Sequence, residues 1–260
     1  MNINEYNSRA WDAEVERGNP WTIPVSREAI AAARNDDFAI VLTPQKPVPK
    51  NWFGDLQGAR VLCLASGGGQ QGPILAAAGA VVTVFDNSAK QLEQDRLVAN
   101  RESLEIALEQ GDMADLSRFA DASFDLIFHP CSNCFVPDIA PVWRECARVL
   151  RVGGALLTGF TNPAMYIFDE QKAEKEKVLE VRHALPYNEL TDLTDAERQY
   201  YVDRNEPLIF GHTLEQQIAG QLAAGFVLTD LFEDRNPTHI LSKHMPTFVA
   251  TRAEKRARRQ

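Results

Sequence analysis

The sequence predicts an α/β fold: a doubly wound, mostly parallel sheet of seven strands with helices on both faces. Three observations carry that expectation. Short apolar runs alternate with helix-type segments from residue 61 to residue 160, the pattern of parallel strands joined by crossover helices. A glycine cluster, Gly67-Gly-Gly-Gln-Gln-Gly72, lies between the first apolar run, Val61–Leu64, and a helical stretch that opens at Pro73. Asp86, Asp112 and His129 follow the second, third and fourth runs, and an open parallel sheet binds its ligands at those carboxyl ends.

Taken in order, residues 1–24 mix Tyr6, Trp11 and Trp21 with polar residues, and a short helix is expected from Ser8 to Gly18. Ser26 is placed to cap a second helix that runs to Arg34. Pro44, Pro47 and Pro49 mark an extended connector. After the glycine loop, Pro73 occupies the first helical turn, where its missing N–H costs nothing, and Gly79 ends that helix. Val81–Phe85 is the second strand, and Ser88 with Gln91 has the form of a capping box for the next helix. Leu104–Leu108 and Phe124–Phe128 are the third and fourth strands. Asp138 caps a helix whose apolar positions Ile139, Val142, Trp143, Cys146, Val149 and Leu150 share one face. Gly153-Gly154 breaks it, and Ala155–Phe160 is the fifth strand. Residues 161–211 interrupt the alternation as an insertion at the ligand end of the sheet, placed for a substrate cap or for plain surface decoration, with Asp169–Lys177 expected as a solvated charged face. Thr213 with Gln216 caps a helix ending at Gly225, and residues 226–231 and 246–251 complete the seven strands. The expected division is an N-terminal lid and connector (1–57), a main domain (58–252) carrying the insertion, and a basic tail (253–260), solvated like the whole Arg252–Arg259 stretch.

Composition narrows the function. The chain has 260 residues, 45% of them hydrophobic and 24% charged, as in an ordinary globular protein of one large domain. A net charge of -9 argues against general nucleic-acid binding. No apolar run nears the ~20 residues that span a bilayer, and Met1-Asn-Ile-Asn-Glu does not open a secretory leader. Four cysteines suit a reducing compartment. A cytoplasmic protein without membrane or DNA partners is the expectation; no oligomeric state follows.

The strand ends carry the candidate site. Glycines 67, 69 and 72 keep the G-x-G-x-x-G spacing and let a ligand approach the main chain. Asp86, fourteen residues beyond Gly72, can accept both hydroxyls of a ribose. Asp112 can take an adenine amino group while the Met113 thioether packs on the ring. His129 is either a structural imidazole or a group facing the ligand. His129-Pro-Cys131-Ser-Asn-Cys134 lacks the second ligand pair of a structural zinc site, so no metal is expected.

These segments together resemble the class I S-adenosylmethionine-dependent methyltransferases over about residues 58–160. The similarity includes Phe124-Asp-Leu-Ile-Phe128 and Arg148-Val-Leu-Arg-Val-Gly-Gly154. The resemblance implies a Rossmann-like sheet closed by a C-terminal antiparallel hairpin whose last strand inserts between its neighbours. It implies S-adenosylmethionine as cofactor, held by Ala65, Ser66, Gly67, Gly69 and Gln71 at its methionine part, by Asp86 at the ribose and by Asp112 and Met113 at the adenine, with Asn87 as a further cofactor contact. His129 is then a cofactor contact or a catalytic base, and Asn133, Tyr6 and Trp11 are candidates for the substrate side, the last two as a lid. One departure stands out: the family's first glycine motif usually opens with an acid, and here that segment is Ala65-Ser66. An uncharacterised bacterial subgroup with Ala-Ser-Gly-Gly-Gly-Gln-Gln-Gly and Gly/Ser-His-Thr-Leu-Glu segments is similar. No N/D-P-P-Y tetrad follows the fourth strand, so a small molecule is the expected acceptor rather than a DNA base. A nicotinamide-dependent oxidoreductase fits the glycines and Asp86 as well, and a non-catalytic binding protein stays open.

Overall fold

The computed structural model describes residues 2–257. Its seven-stranded sheet has the order β3-β2-β1-β4-β5-β9-β8. The strands are β1 (Arg60–Leu64), β2 (Val81–Asp86), β3 (Ile106–Gln110), β4 (Phe124–His129), β5 (Leu150–Thr161), β8 (Phe226–Asp234) and β9 (Phe248–Lys255). Pairing is parallel from β3 through β5, and β9 inserts antiparallel between β5 and β8. The helices are α1 (Ile3–Arg17), α2 (Arg27–Ala33), α3 (Gln71–Ala77), α4 (Ala89–Glu102), α5 (Ala140–Val149), α6 (Asp195–Asp203) and α7 (Gly220–Ala223).

The central strands β1, β2, β4 and β5 are largely buried on both faces, so they read as continuous apolar runs rather than as alternation. On one face Ile30, Ile74, Leu75, Leu92 and Val98 from α2, α3 and α4 pack against Val61, Val82 and Val84. On the other, Val142, Trp143 and Cys146 of α5 cover Leu62, Ile127 and Leu156. These two layers place the carboxyl ends of β1 to β4 along one edge of the molecule.

Several expected boundaries move. α1 begins at Ile3, not Ser8, because the Asn2 side chain caps it; it ends where expected, with Gly18 at φ 70°. β3 begins two residues late, since Leu104 still bonds back to the end of α4. Gly153-Gly154 lies inside β5 rather than ahead of it. Pairing jumps from Phe124–Leu150 to Leu126–Ala155, a bulge that Gly153 permits at φ 78°. β9 runs to Lys255, so the strand takes in the first residues of the expected tail, and Arg252 pairs with Glu254. Residues 258–260 of that tail lie outside the described residues.

The insertion carries structure that the sequence pattern did not disclose. Strands β6 (Tyr187–Asn188) and β7 (Phe210–Gly211) pair antiparallel, and a reciprocal capping box of Thr194 and Glu197 starts α6. The charged run is only partly solvated: residues 174–177 are exposed, whereas Asp169 is buried against Arg182, 2.9 Å away.

The proline-rich connector is seated on the sheet at one point of backbone contact. A Cβ added to Gly159 of β5 would stand 2.2 Å from the Leu42 carbonyl oxygen. Gly159→Ala must therefore push the connector off the sheet. The expected cost is about 1–3 kcal/mol, visible as a lower urea midpoint; an unchanged midpoint would show that the connector shifts freely.

Candidate functional site

The chain leaves β1 through Ala65, at φ 46°, into a loop where Gly68 and Gly69 hold φ 112° and 71°. Gly67 has no room for a side chain, because its Cβ would come 2.7 Å from Gln91 Cβ and 3.2 Å from an Asp86 oxygen. Two carboxylates hold this loop. Gly67 N–H donates to Asp86 Oδ2 at 2.9 Å, and Gly68 N–H donates to Asp95 Oδ2 at 3.0 Å. Asp86 also accepts the Ser88 N–H at 2.9 Å. A carboxylate has about four lone-pair sites, so Asp86 keeps capacity for hydroxyls. Burial raises the Asp86 pKa against those hydrogen bonds, and burial pushes Asp95 up to about 8.

Two adjoining cavities of about 370 and 380 Å³ share Ala65, Asp86, Asn87, Met113 and Phe135. The second also takes in Asp112, whose carboxylate accepts the Ala114 N–H at 2.9 Å. Ser66, Gly67 and Gln71 line the first, and the Ser66 hydroxyl donates to the Gln71 side chain at 3.2 Å. Gly69 is not in its wall; its backbone oxygen accepts the Val25 N–H at 2.9 Å. The Asn87 carbonyl receives Ser8 Oγ at 2.7 Å and Gln110 Nε2 at 2.9 Å.

The N-terminus forms a wall of the first cavity. Asp12 of α1 accepts the Ser88 hydroxyl at 2.6 Å and the Lys90 N–H at 3.1 Å, fixing α1 to the start of α4. Gln70 Nε2 donates to the carbonyls of Pro20 and Ile23, tying that strap to the glycine loop. Trp11 lines the cavity edge-on to Phe135, ring centroids 5.1 Å apart.

Besides Gly69, three expected site residues are placed elsewhere. His129 is fully buried behind the cavity wall; Nδ1 donates to the Leu64 carbonyl at 2.8 Å and Nε2 is paired with the Asn133 side chain. Burial lowers its pKa, and with both ring nitrogens engaged the ring is a brace without a free nitrogen for a ligand. Asn133 is also buried, and its amide bonds Gln217 at 2.9 Å. With His212, which bonds the carbonyls of Asn133 and Val136 at 3.0 Å, this network supports the loop after β4 from behind. Tyr6 packs with Ala10 and Leu208, and its hydroxyl donates to the Glu206 carbonyl at 2.9 Å, so it anchors α1 to the insertion. The sequence reading missed Asp95, Gln91, Leu42, Thr43 and the Asn236–Thr238 loop. Asp95 lay in an ordinary helix pattern, and the other side had no motif at all.

Asp95 gives the site a pH signature. The folded chain holds this proton between the ordinary carboxyl value of 3.8 and about 8, so the folded state binds more protons than the unfolded state across that window. Stability must fall as pH rises through it, and Asp86 adds to the same slope. Asp95→Asn should flatten the fall in urea midpoint between pH 5 and pH 8, by about 1 kcal/mol or more; an unaltered slope would mean that Asp95 is already ionised.

Comparison with known proteins agrees with this fold. A methyltransferase-domain profile matches residues 62–158. An uncharacterized methyltransferase of Bacillus subtilis, YbaJ, is 49% identical over 250 residues, which is 96% of this chain and 97% of that protein. A ubiquinone biosynthesis O-methyltransferase of Xanthomonas oryzae is 34% identical over 110 residues, and the match spans 45% of its length. The crystal structure of an S-adenosylmethionine-dependent methyltransferase from Mesorhizobium loti shares the fold, with a TM-score of 0.60 at 19% identity over 79% of this chain and 95% of that one. The chain belongs to the S-adenosylmethionine-dependent methyltransferases of Rossmann-like fold.

Proposed function

We propose that the acceptor is a small molecule, methylated inside the cavity of about 370 Å³ that the N-terminal strap and connector wall off. The observation that carries this is the composition of that wall. Trp11, Leu42 and Thr43 from the N-terminal side face Thr161, Thr238 and Phe248 from the ends of β5 and β9 and the loop between β8 and β9. Such a chamber suits a compact, weakly polar acceptor. A net charge of -9 disfavours DNA as the partner. No helix among the described residues is long and apolar enough to cross a membrane, and we place the activity in the cytoplasm.

The residues suit the cofactor. Asp86 stands where ribose hydroxyls need an acceptor, Met113 and Asp112 where an adenine ring and amino group need partners, and Gly67 where a side chain would block the approach. Because Gly67 and Gly68 give their N–H groups to carboxylates, the loop is poorly suited to a pyrophosphate, which favours the sulfonium cofactor over a dinucleotide. When bound, the cofactor supplies an electrophilic methyl group. The protein's part is to align acceptor and methyl in near-attack geometry and to exclude water. Cys131 lines the chamber with its thiol pushed well above its usual pKa, so it faces the acceptor as a neutral group. Residues 1–57 are the closing wall in this reading, and the 161–211 insertion, held to α1 through Tyr6, backs it.

Labelled methyl transfer from S-adenosylmethionine into a fractionated cell extract tests the proposal. Label should enter the low-molecular-weight fraction; label confined to protein or nucleic acid would overturn it. Trp11→Ala should lower turnover while keeping the fold, because it removes a half-buried wall residue outside the main core; unfolding of that variant would mean that Trp11 only packs. Asp86→Asn should weaken S-adenosylmethionine about 10- to 100-fold in calorimetry, and equal affinity would remove Asp86 from the site.

A further inference from the structure

We infer that Gln91 selects the amino-acid end of the cofactor, its side-chain carbonyl accepting a hydrogen bond from the cofactor's α-ammonium group. This rests on the methyltransferase reading above and assigns a residue to a part of the ligand for which the glycine loop itself has no acid.

The first support is a capping box that does not close. Ser88 Oγ accepts the Gln91 N–H at 3.1 Å, as the pattern requires. The return bond is missing, because the Ser88 N–H goes to Asp86 at 2.9 Å. At the Thr213–Gln216 pair both bonds form, at 3.1 and 2.8 Å, and the glutamine is consumed. Asp86 therefore releases the Gln91 side chain from its capping duty.

The second support is where that side chain goes. Gln91 is 5% exposed and lines the first cavity, and its Oε1 is buried without a hydrogen-bond partner among the described residues. A buried amide oxygen left unpaired carries a desolvation cost that a donor on a ligand would remove. That oxygen stands 2.9 Å from the position of a Cβ on Gly68, and the Trp21 carbonyl oxygen stands 2.7 Å from the same point. Two acceptors thus flank Gly68.

The third support is the order of the strands. Met113, Asp86 and Gly68 follow β3, β2 and β1, which are neighbours in that order. A cofactor with its adenine at Met113 and its ribose at Asp86 brings its amino-acid end to the glycine loop, where Gly67, Gln91 and Trp21 line the first cavity. An ammonium offers three N–H donors and matches the acceptors there. A carboxylate would not, since the Gly67 and Gly68 N–H groups are already engaged.

Calorimetric titration of the full chain with S-adenosylhomocysteine and with its deaminated analogue, in which hydrogen replaces the α-amino group, decides the matter. The wild-type chain should prefer S-adenosylhomocysteine by about 10- to 100-fold. Gln91→Leu should bind the two ligands alike, with the analogue's affinity unchanged, and Gln91→Glu should restore the preference. Equal weakening of both ligands by Gln91→Leu would overturn the inference by making Gln91 a support of the loop, and a preference that survives Gln91→Leu would overturn it by assigning the ammonium to other groups. Failure of the wild-type chain to bind either ligand would overturn the cofactor reading itself.

Discussion

Two buried carboxylates hold the glycine loop, and the site depends on them. Asp86 and Asp95 take the N–H groups of Gly67 and Gly68, so the loop turns over the end of β1 with its amides facing the protein rather than the ligand. Burying two acids is costly unless each is hydrogen-bonded or keeps its proton. Asp86 accepts two backbone N–H groups, and Asp95 is pushed toward its protonated form. The same arrangement bears on ligand chemistry: with the Gly67 and Gly68 N–H groups given to acids, the loop suits a cationic cofactor better than a phosphate.

The remaining walls come from parts of the chain distant in sequence. Asp12 caps the start of α4 from another helix, and Gln70 pins the 20–23 strap. Behind the loop after β4, the His129–Asn133–Gln217 chain and His212 form a polar brace. A buried brace whose polar groups are hydrogen-bonded to one another and to the backbone fixes the chamber wall from behind. The first cavity is lined by apolar, hydroxyl and amide side chains, with Asp86 as its one charged lining residue among those described.

The sheet was largely legible because parallel strands buried on both faces are apolar runs, and helices between them keep their own period. Errors gathered where tertiary bonds override local signals. Gly153-Gly154 looked like a break between helix and strand, yet pairing with β4 absorbs it as a bulge. Ser88–Gln91 and Thr213–Gln216 have the same capping pattern, yet a carboxylate from β2 opens the first and leaves the second intact. Asp169 looked solvated until Arg182, thirteen residues on, paired with it.

By itself the sequence determined the α/β class, the glycine turn at the end of β1 and the polar residues at the ends of β2 and β3, since these follow from local periodicity and backbone freedom. Only the tertiary structure decided which of those residues face the cavity. His129 and Tyr6 turned inward because the Leu64 and Glu206 carbonyls, remote in the chain, supplied their hydrogen bonds. Gln91 lines the cavity with its side-chain oxygen unpaired among the described residues, Asp86 having taken the Ser88 N–H. The direction of a polar side chain is set by where its partner lies in space, and no local pattern records that.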